Sequence, residues 1–393
     1  MKFSSFLTKP WSSAVLSGLA ILVPIAASGQ AQVPRISDEA VRRAHAAAIL
    51  IDTHNDVTSE TIDGLDIGPR RSKGHTDLPR LKAGGVGAVF FAAYVSGTYA
   101  PKGQSAHRAL AMIDTIRHDI VDRYPGQFRL ALTAGDIEAA RREGKIAALI
   151  GIEGGHAIEN DVRLLRTFFE LGVRYMTLTH ANHNGWADSS GATGAPNHGL
   201  SATLGRRVIA EMNRLGMMVD ISHVSDKTFE DTLAVSRAPV FASHSSCRAL
   251  SNIKRNMSDE MIRALAKKGG VIQINFGCEF LSQVSADSSS WSNPALKGKK
   301  NVVTKRASLA DAVAHIRHVA TIAGVDAVGI GSDFDGVPCT PVGLDDVSRF
   351  PALTRALLEN GFSAADVKKI YGGNLLRVMR AVQAAATPDS PVQ

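Results

Sequence analysis

Eight short apolar, β-branched runs recur along this chain, each breaking off at polar side chains, with helical stretches between them. In the first, Ala48 to Val57, Ile49, Leu50 and Ile51 lead into Asp52, Thr53, His54, Asn55 and Asp56: a buried strand that ends in metal-capable side chains. Alternate residues of an extended segment share a side, so His54 and Asp56 can reach one ion. The later runs are Val86 to Val95, then Ile146 to Ile152 ending in Glu153-Gly154-Gly155-His156, and Val173 to Leu178 leading to Thr179-His180. Met217 to Ile221 leads to Ser222-His223, Val240 to Ala242 to Ser243-His244, Val271 to Phe276 to Gly277, and Ala327 to Ile330 to Gly331-Ser332-Asp333.

The intervening stretches read as helices. Ser37 to Ala48 has a Ser cap and acids in its first turn, Ala202 to Leu215 is amphipathic, and Leu309 to Ala323 turns Ala312, Val313, Ile316 and Val319 toward a core. Eight strands alternating with helices predict a parallel α/β sheet, and eight is the number that closes a (β/α)8 TIM barrel. A doubly wound open sheet is the rival. The barrel is favoured because at least six strands end in His, Asp or Glu. A barrel gathers its C-terminal strand ends on one face, whereas an open sheet spreads them along a line.

A chain of 393 residues with 45% hydrophobic content can fill one large barrel. The net charge of +7 comes with no basic stripe interleaved with aromatics, which argues against nucleic acid as a partner. Residues 1–31 read as an export signal. Lys2 and Lys9 precede an apolar region, Ala14 to Ala27, that is too short and proline-interrupted for a span, and small residues follow. Export places the mature chain in the periplasm or outside the cell; an uncleaved anchor is the alternative. The expected organisation is one domain over 33–381 and a flexible tail over 382–393, without a glycolipid signal. Cys247, Cys278 and Cys339 are odd in number and match no zinc or disulfide spacing, and are read as packing residues. Glu279 to Arg306, rich in Ser, Asn and Lys, is too long for an ordinary connection and reads as a loop on the barrel mouth, either a lid or a solvated excursion.

A lone strand-end His, or an acid beside Gly-Gly, is more often structural. Structural residues have no reason to collect on one face, however, and the barrel would bring His54, Asp56, Glu153, His180, His223, His244 and Asp333 into one cavity. Imidazoles and carboxylates in that mix suit zinc or a similar divalent ion, and their number exceeds the needs of one ion. A binuclear site follows, with Glu153 as a bridging carboxylate and Gly154 and Gly155 letting the backbone bend close to the metals.

From Ile51 to Val378 the chain resembles the membrane (renal-type) dipeptidases, zinc metallopeptidases on an amidohydrolase-like barrel. The motifs that carry the resemblance are IDTHND at 51–56, GIEGGHAI at 151–158, LTHANHNGWAD at 178–188, DISHVS at 220–225, ASHSSCRAL at 242–250, KRNMSDEMI at 254–262 and GIGSDFDGVP at 329–338. The resemblance implies two zinc ions per chain. His54 and Asp56 would bind one, His223 and His244 the other, and Glu153 would bridge them. It further implies that His180 contacts the scissile carbonyl oxygen, Arg255 grips the substrate's free carboxylate, and Asp333 handles protons. A homodimer, common in the family, stays open.

The expected chemistry is hydrolysis of a dipeptide by a bridging hydroxide, with His180 helping to polarise the carbonyl and Asp333 passing the water's proton to the leaving amine. Asp335 competes for that last role, lying on the same side if the segment is extended. The rival readings are another binuclear hydrolase of this barrel type, acting on a lactone, β-lactam or other amide, and an exported binding protein.

Overall fold

The computed structural model describes residues 36–192, 198–290, 292–296, 303 and 305–387. The expected signal over 1–31 lies outside them, as do 388–393 of the expected tail and part of the expected lid. Nine strands form among the described residues: β1 Leu50–Asn55, β2 Val86–Tyr94, β3 Phe128–Leu130, β4 Ile146–Glu153, β5 Val173–Thr177, β6 Met218–Asp220, β7 Phe241–Ser245, β8 Val271–Ile274 and β9 Val328–Ile330. Eight of them pair in parallel in the order β1-β2-β4-β5-β6-β7-β8-β9, and these are the eight runs expected. The ninth, β3, was not anticipated. It is three residues long with an Arg at its centre, and it pairs outside this path onto β4.

The ring closes just beyond β9. Asp333 donates its backbone N–H to the His54 carbonyl at 3.0 Å, and Asp56 donates to the Phe334 carbonyl at 2.9 Å. Asp52 reinforces this seam, accepting from the Ser332 backbone at 2.8 Å and its hydroxyl at 2.5 Å. It therefore serves barrel closure rather than metal. Inside the barrel, Ile51, Phe90, Leu149, Tyr175 and Phe241 fill the floor under the strand ends. Gly151 permits this, since a β-carbon there would lie 2.0 Å from the Tyr175 ring.

Between strands, the helices cover the outside of the sheet. The first runs Asp38–Ala47 with Ser37 as its cap, and Leu309–Ala323 buries the four residues expected of it together with His315. The last helix continues to Ala384 with Val382 buried, past the domain boundary expected at 381.

Two expectations need correction. Cys278 and Cys339 are not packing thiols; they form a disulfide across 61 residues of sequence. No local spacing announces it, because the pair is made by β8 and β9 lying side by side. Cys247 is the free, buried cysteine. Secondly, the stretch after β8 opens as two short helices, Cys278–Leu281 and Gln283–Ser288, rather than as a loop. Phe280 is buried there, and its carbonyl accepts from the Asn256 side chain at 2.9 Å.

Candidate metal centre

Glu153 ends β4 at the middle of the C-terminal face, and its two oxygens look in different directions. Oε1 lies 2.9 Å from His223 Nε2, 3.4 Å from His244 Nε2 and 3.7 Å from His180 Nε2. Oε2 lies 3.6 Å from His54 Nε2, which in turn is 3.2 Å from Asp56 Oδ2. Three overlapping groups have donors close enough for a metal: His54 with Glu153 and His244, Glu153 with His180 and His223, and His54 with Asp56 and Asp333. All seven residues expected at one cavity therefore meet there. The partition is less clean than expected, because His180 and Asp333 stand as near to the candidate positions as the five ligands implied by the resemblance.

Whether these residues suit a metal is decided by where the imidazole protons are. Tyr175 donates its hydroxyl to the Thr53 carbonyl at 3.1 Å and so accepts, at 2.8 Å, the Nδ1 proton of His54. Ser243 donates to Asp220 at 2.6 Å and accepts from Nδ1 of His244 at 2.7 Å. In both rings the proton sits on Nδ1, which leaves the Nε2 lone pair facing Glu153. His54 Nε2 is buried without a hydrogen-bond partner. The Nε2 atoms of His223 and His244 stand 2.9 Å apart with Glu153 Oε1 2.9 and 3.4 Å away, so either His223 holds a proton on Nε2 and donates it within this group or a cation takes that proton's place. The donor set fits divalent ions.

The electrostatics agree. Burial would raise the Glu153 carboxyl, yet His54, His180 and the bonds from His223 and His244 outweigh it and hold it well below the usual range. Burial keeps His223 and His244 well below an ordinary imidazole, in the neutral form that ligates. For His54 burial lowers the pKa, but Tyr175, Asp56 and Glu153 carry it well above the ordinary value, so without metal its Nε2 lone pair holds a proton that a divalent ion would displace. The carboxylates responsible are the negative charge a divalent ion would neutralise. Burial, with Asp56 beside it, raises Asp333 well above its usual value, and Asn275 donates to its Oδ2 at 2.6 Å.

The segment carrying Asp333 and Asp335 is not extended. Both residues take left-handed backbone angles, φ 61° and 67°, so the alternation that equated them does not hold. Asp333 joins His54 and Asp56, whereas Asp335 accepts from the backbone of His75 at 2.7 Å. Gly336 follows, where a β-carbon would meet Asp56 at 2.3 Å and Asp333 at 2.4 Å.

A cavity of about 210 Å³ opens on the centre, lined among others by Asp56, Tyr94, Glu153, His180, Phe280 and Asp333. Arg255 stands beside it. Its guanidinium lies over the Phe280 ring at 5.2 Å and donates to the His244 carbonyl at 3.0 Å and the Ser245 hydroxyl at 3.2 Å. Its Nε is buried without a partner among the described residues. Four residues at the site were not among those expected: Tyr175, Ser243 and Asp220 behind the candidate ligands, and Tyr94, whose ring meets His180 edge-on at 4.8 Å. Ser243 and Asp220 could have been suspected from their places beside His244 and His223. Tyr175 gave no signal, being one more apolar-facing residue of its strand.

Known proteins place this geometry. The membrane dipeptidase (peptidase family M19) profile matches residues 38–391. Dipeptidase verJ of Clonostachys rogersoniana is 41% identical over 350 residues, covering 85% of this chain and 84% of that protein. The crystal structure of the probable dipeptidase PvdM from Pseudomonas aeruginosa superposes with a TM-score of 0.79 at 26% identity, covering 90% of this chain and 100% of that one. A metallo peptidase from Rhodobacter sphaeroides, liganded with a phosphinate mimic of the dipeptide L-Ala-D-Ala, gives 0.73 at 27% identity, covering 85% and 99%. With its barrel, its metal-ready donors and these relatives, the chain belongs to the membrane dipeptidase family, peptidase family M19, as a dipeptidase of the metallopeptidase type.

Proposed function

We propose that this dipeptidase is a two-zinc enzyme that cleaves dipeptides bearing a free C-terminal carboxylate. The observation that carries the reading is the split of Glu153, one oxygen toward His223 and His244 and the other toward His54. His54 and Asp56 are assigned to one ion, His223 and His244 to the second, and Glu153 to both. When bound, such a pair acidifies a shared water to hydroxide near neutral pH and polarises a carbonyl.

The chain's own groups do the rest. Arg255 offers a guanidinium to the substrate carboxylate, with Phe280 holding its plane. His180, which burial keeps below the ordinary imidazole range, donates a hydrogen bond to the carbonyl oxygen as negative charge develops there. Asp333 takes the nucleophile's proton and returns it to the departing amine; its raised pKa suits a group that must hold a proton in mid-reaction. A dipeptide mimic bound in the Rhodobacter sphaeroides relative supports the substrate class. The leader-like composition of residues 1–31 supports export to the periplasm or beyond, and no helix among the described residues is long and apolar enough to cross a membrane.

The test is a panel of dipeptides, C-terminally amidated dipeptides, lactones and β-lactams, assayed with chelated and zinc-restored protein. Zinc-dependent cleavage confined to free-carboxylate dipeptides is expected. Faster turnover of lactones, or none of dipeptides, overturns the reading.

A further inference from the structure

We infer that Asp335 receives the free α-ammonium of the substrate, so that the cavity recognises both charged ends of a dipeptide. This rests on the dipeptidase reading above. The Asp335 side chain is only 2% exposed, yet it lines the catalytic cavity together with Asp56, Glu153, His180 and Asp333. Its Oδ1 is occupied, accepting from the His75 backbone at 2.7 Å. Its Oδ2 is buried and has no hydrogen-bond partner among the described residues. A buried carboxylate oxygen without a donor is costly unless a ligand supplies one.

The neighbouring basic groups do not meet that need. The His75 ring nitrogen nearest Asp335 accepts from the Asp335 backbone N–H at 2.9 Å, so it has no proton to share. Arg71 Nη1 is 3.9 Å from Oδ1, beyond hydrogen-bond reach, and the guanidinium is paired with Glu60 and donates to the Thr76 carbonyl at 3.3 Å. Asp333 is no substitute, because its Oδ2 is held by Asn275 and it stands with the metal donors. What remains is one unused acceptor on the cavity wall, while Arg255 packs its guanidinium on Phe280, another residue of that wall. An acid on the wall and a guanidinium packed on another residue of that wall complement a zwitterion, and an ammonium supplies the missing donor.

The experiment compares Ala-Ala with propionyl-Ala, the same amide and carboxylate without the ammonium, on zinc-loaded wild type and Asp335→Asn. Wild type is expected to favour Ala-Ala in kcat/KM by about ten- to a hundred-fold, the worth of a buried charged hydrogen bond. Asp335→Asn is expected to reduce that preference by most of this factor, through KM more than kcat. An equal fall for both substrates overturns the inference and leaves Asp335 as a support for the His75 segment. The wild-type comparison needs no variant: propionyl-Ala cleaved as well as Ala-Ala overturns it even if Asp335→Asn does not fold. Cleavage of neither substrate by wild type overturns the dipeptidase reading itself, an outcome distinct from loss of preference.

Discussion

Nε2 of His223 and Nε2 of His244 face each other at 2.9 Å, with the same oxygen of Glu153 2.9 and 3.4 Å away. Burial holds both rings well below an ordinary imidazole, in the neutral form whose Nε2 can ligate. The arrangement makes chemical sense around a cation, with Tyr175 and Ser243 fixing the rings of the candidate ligands His54 and His244.

Tyr175→Phe tests those groups. The substitution leaves the Nδ1 proton of His54 buried without its acceptor and frees the ring to take the wrong tautomer. Metal affinity is expected to fall about ten- to a hundred-fold, with the fold retained. Competitive chelator titration reads it; unchanged affinity would show that Tyr175 only fills the barrel floor.

Asp333 and Asp335 are separated by turnover. Asp333→Asn removes the proposed proton carrier and is expected to lower kcat by about a hundred- to ten-thousand-fold. The loss at Asp335→Asn is expected to be smaller and to lie mainly in KM. A larger kcat loss at Asp335 would reverse the two roles.

The Cys278 to Cys339 disulfide ties the helix bearing Phe280 to the loop beyond Asp333 and Asp335. Replacing both cysteines by Ser is expected to cost about 4 kcal/mol, from chain entropy over its 61-residue separation. KM should rise as the wall carrying Phe280 loosens. Urea unfolding with and without reductant measures it, and equal midpoints in both would contradict the account.

His315 gives a pH signature away from the metals. Buried behind β8, it accepts from the Cys247 backbone at 3.0 Å and donates to the Leu281 carbonyl at 3.1 Å. Burial pushes its pKa down to about 4. With the folded value below the unfolded one, its contribution is whole above pH 6.5 and is lost as pH falls through 4. The stability gap between wild type and His315→Gln should therefore narrow by about 3 kcal/mol from pH 7 to pH 4. A gap independent of pH would contradict this.

The strand ends were legible because a parallel barrel writes its active face as a polar residue after each apolar run, and His54, Glu153, His180, His223 and His244 all follow that rule. Position along the chain therefore predicted position in space. Besides the residues behind the candidate ligands, three kinds of feature escaped. Strand β3 is too short to show a period. The Cys278 to Cys339 pair depends on which strands become neighbours, a long-range fact with no local signature. Asp333 and Asp335 take left-handed backbone angles, which sequence alternation cannot foresee and which only the close packing of Gly336 against Asp56 hints at.

The two-zinc reading is tested by metal content per chain, determined on protein purified without chelator and set against Ala-Ala cleavage of the same sample. Close to two zinc equivalents are expected, with activity rising with occupancy and both metal and activity lost in Glu153→Gln. Full dipeptide cleavage by metal-free protein, or a Glu153→Gln variant that keeps its metal and its rate, would contradict it.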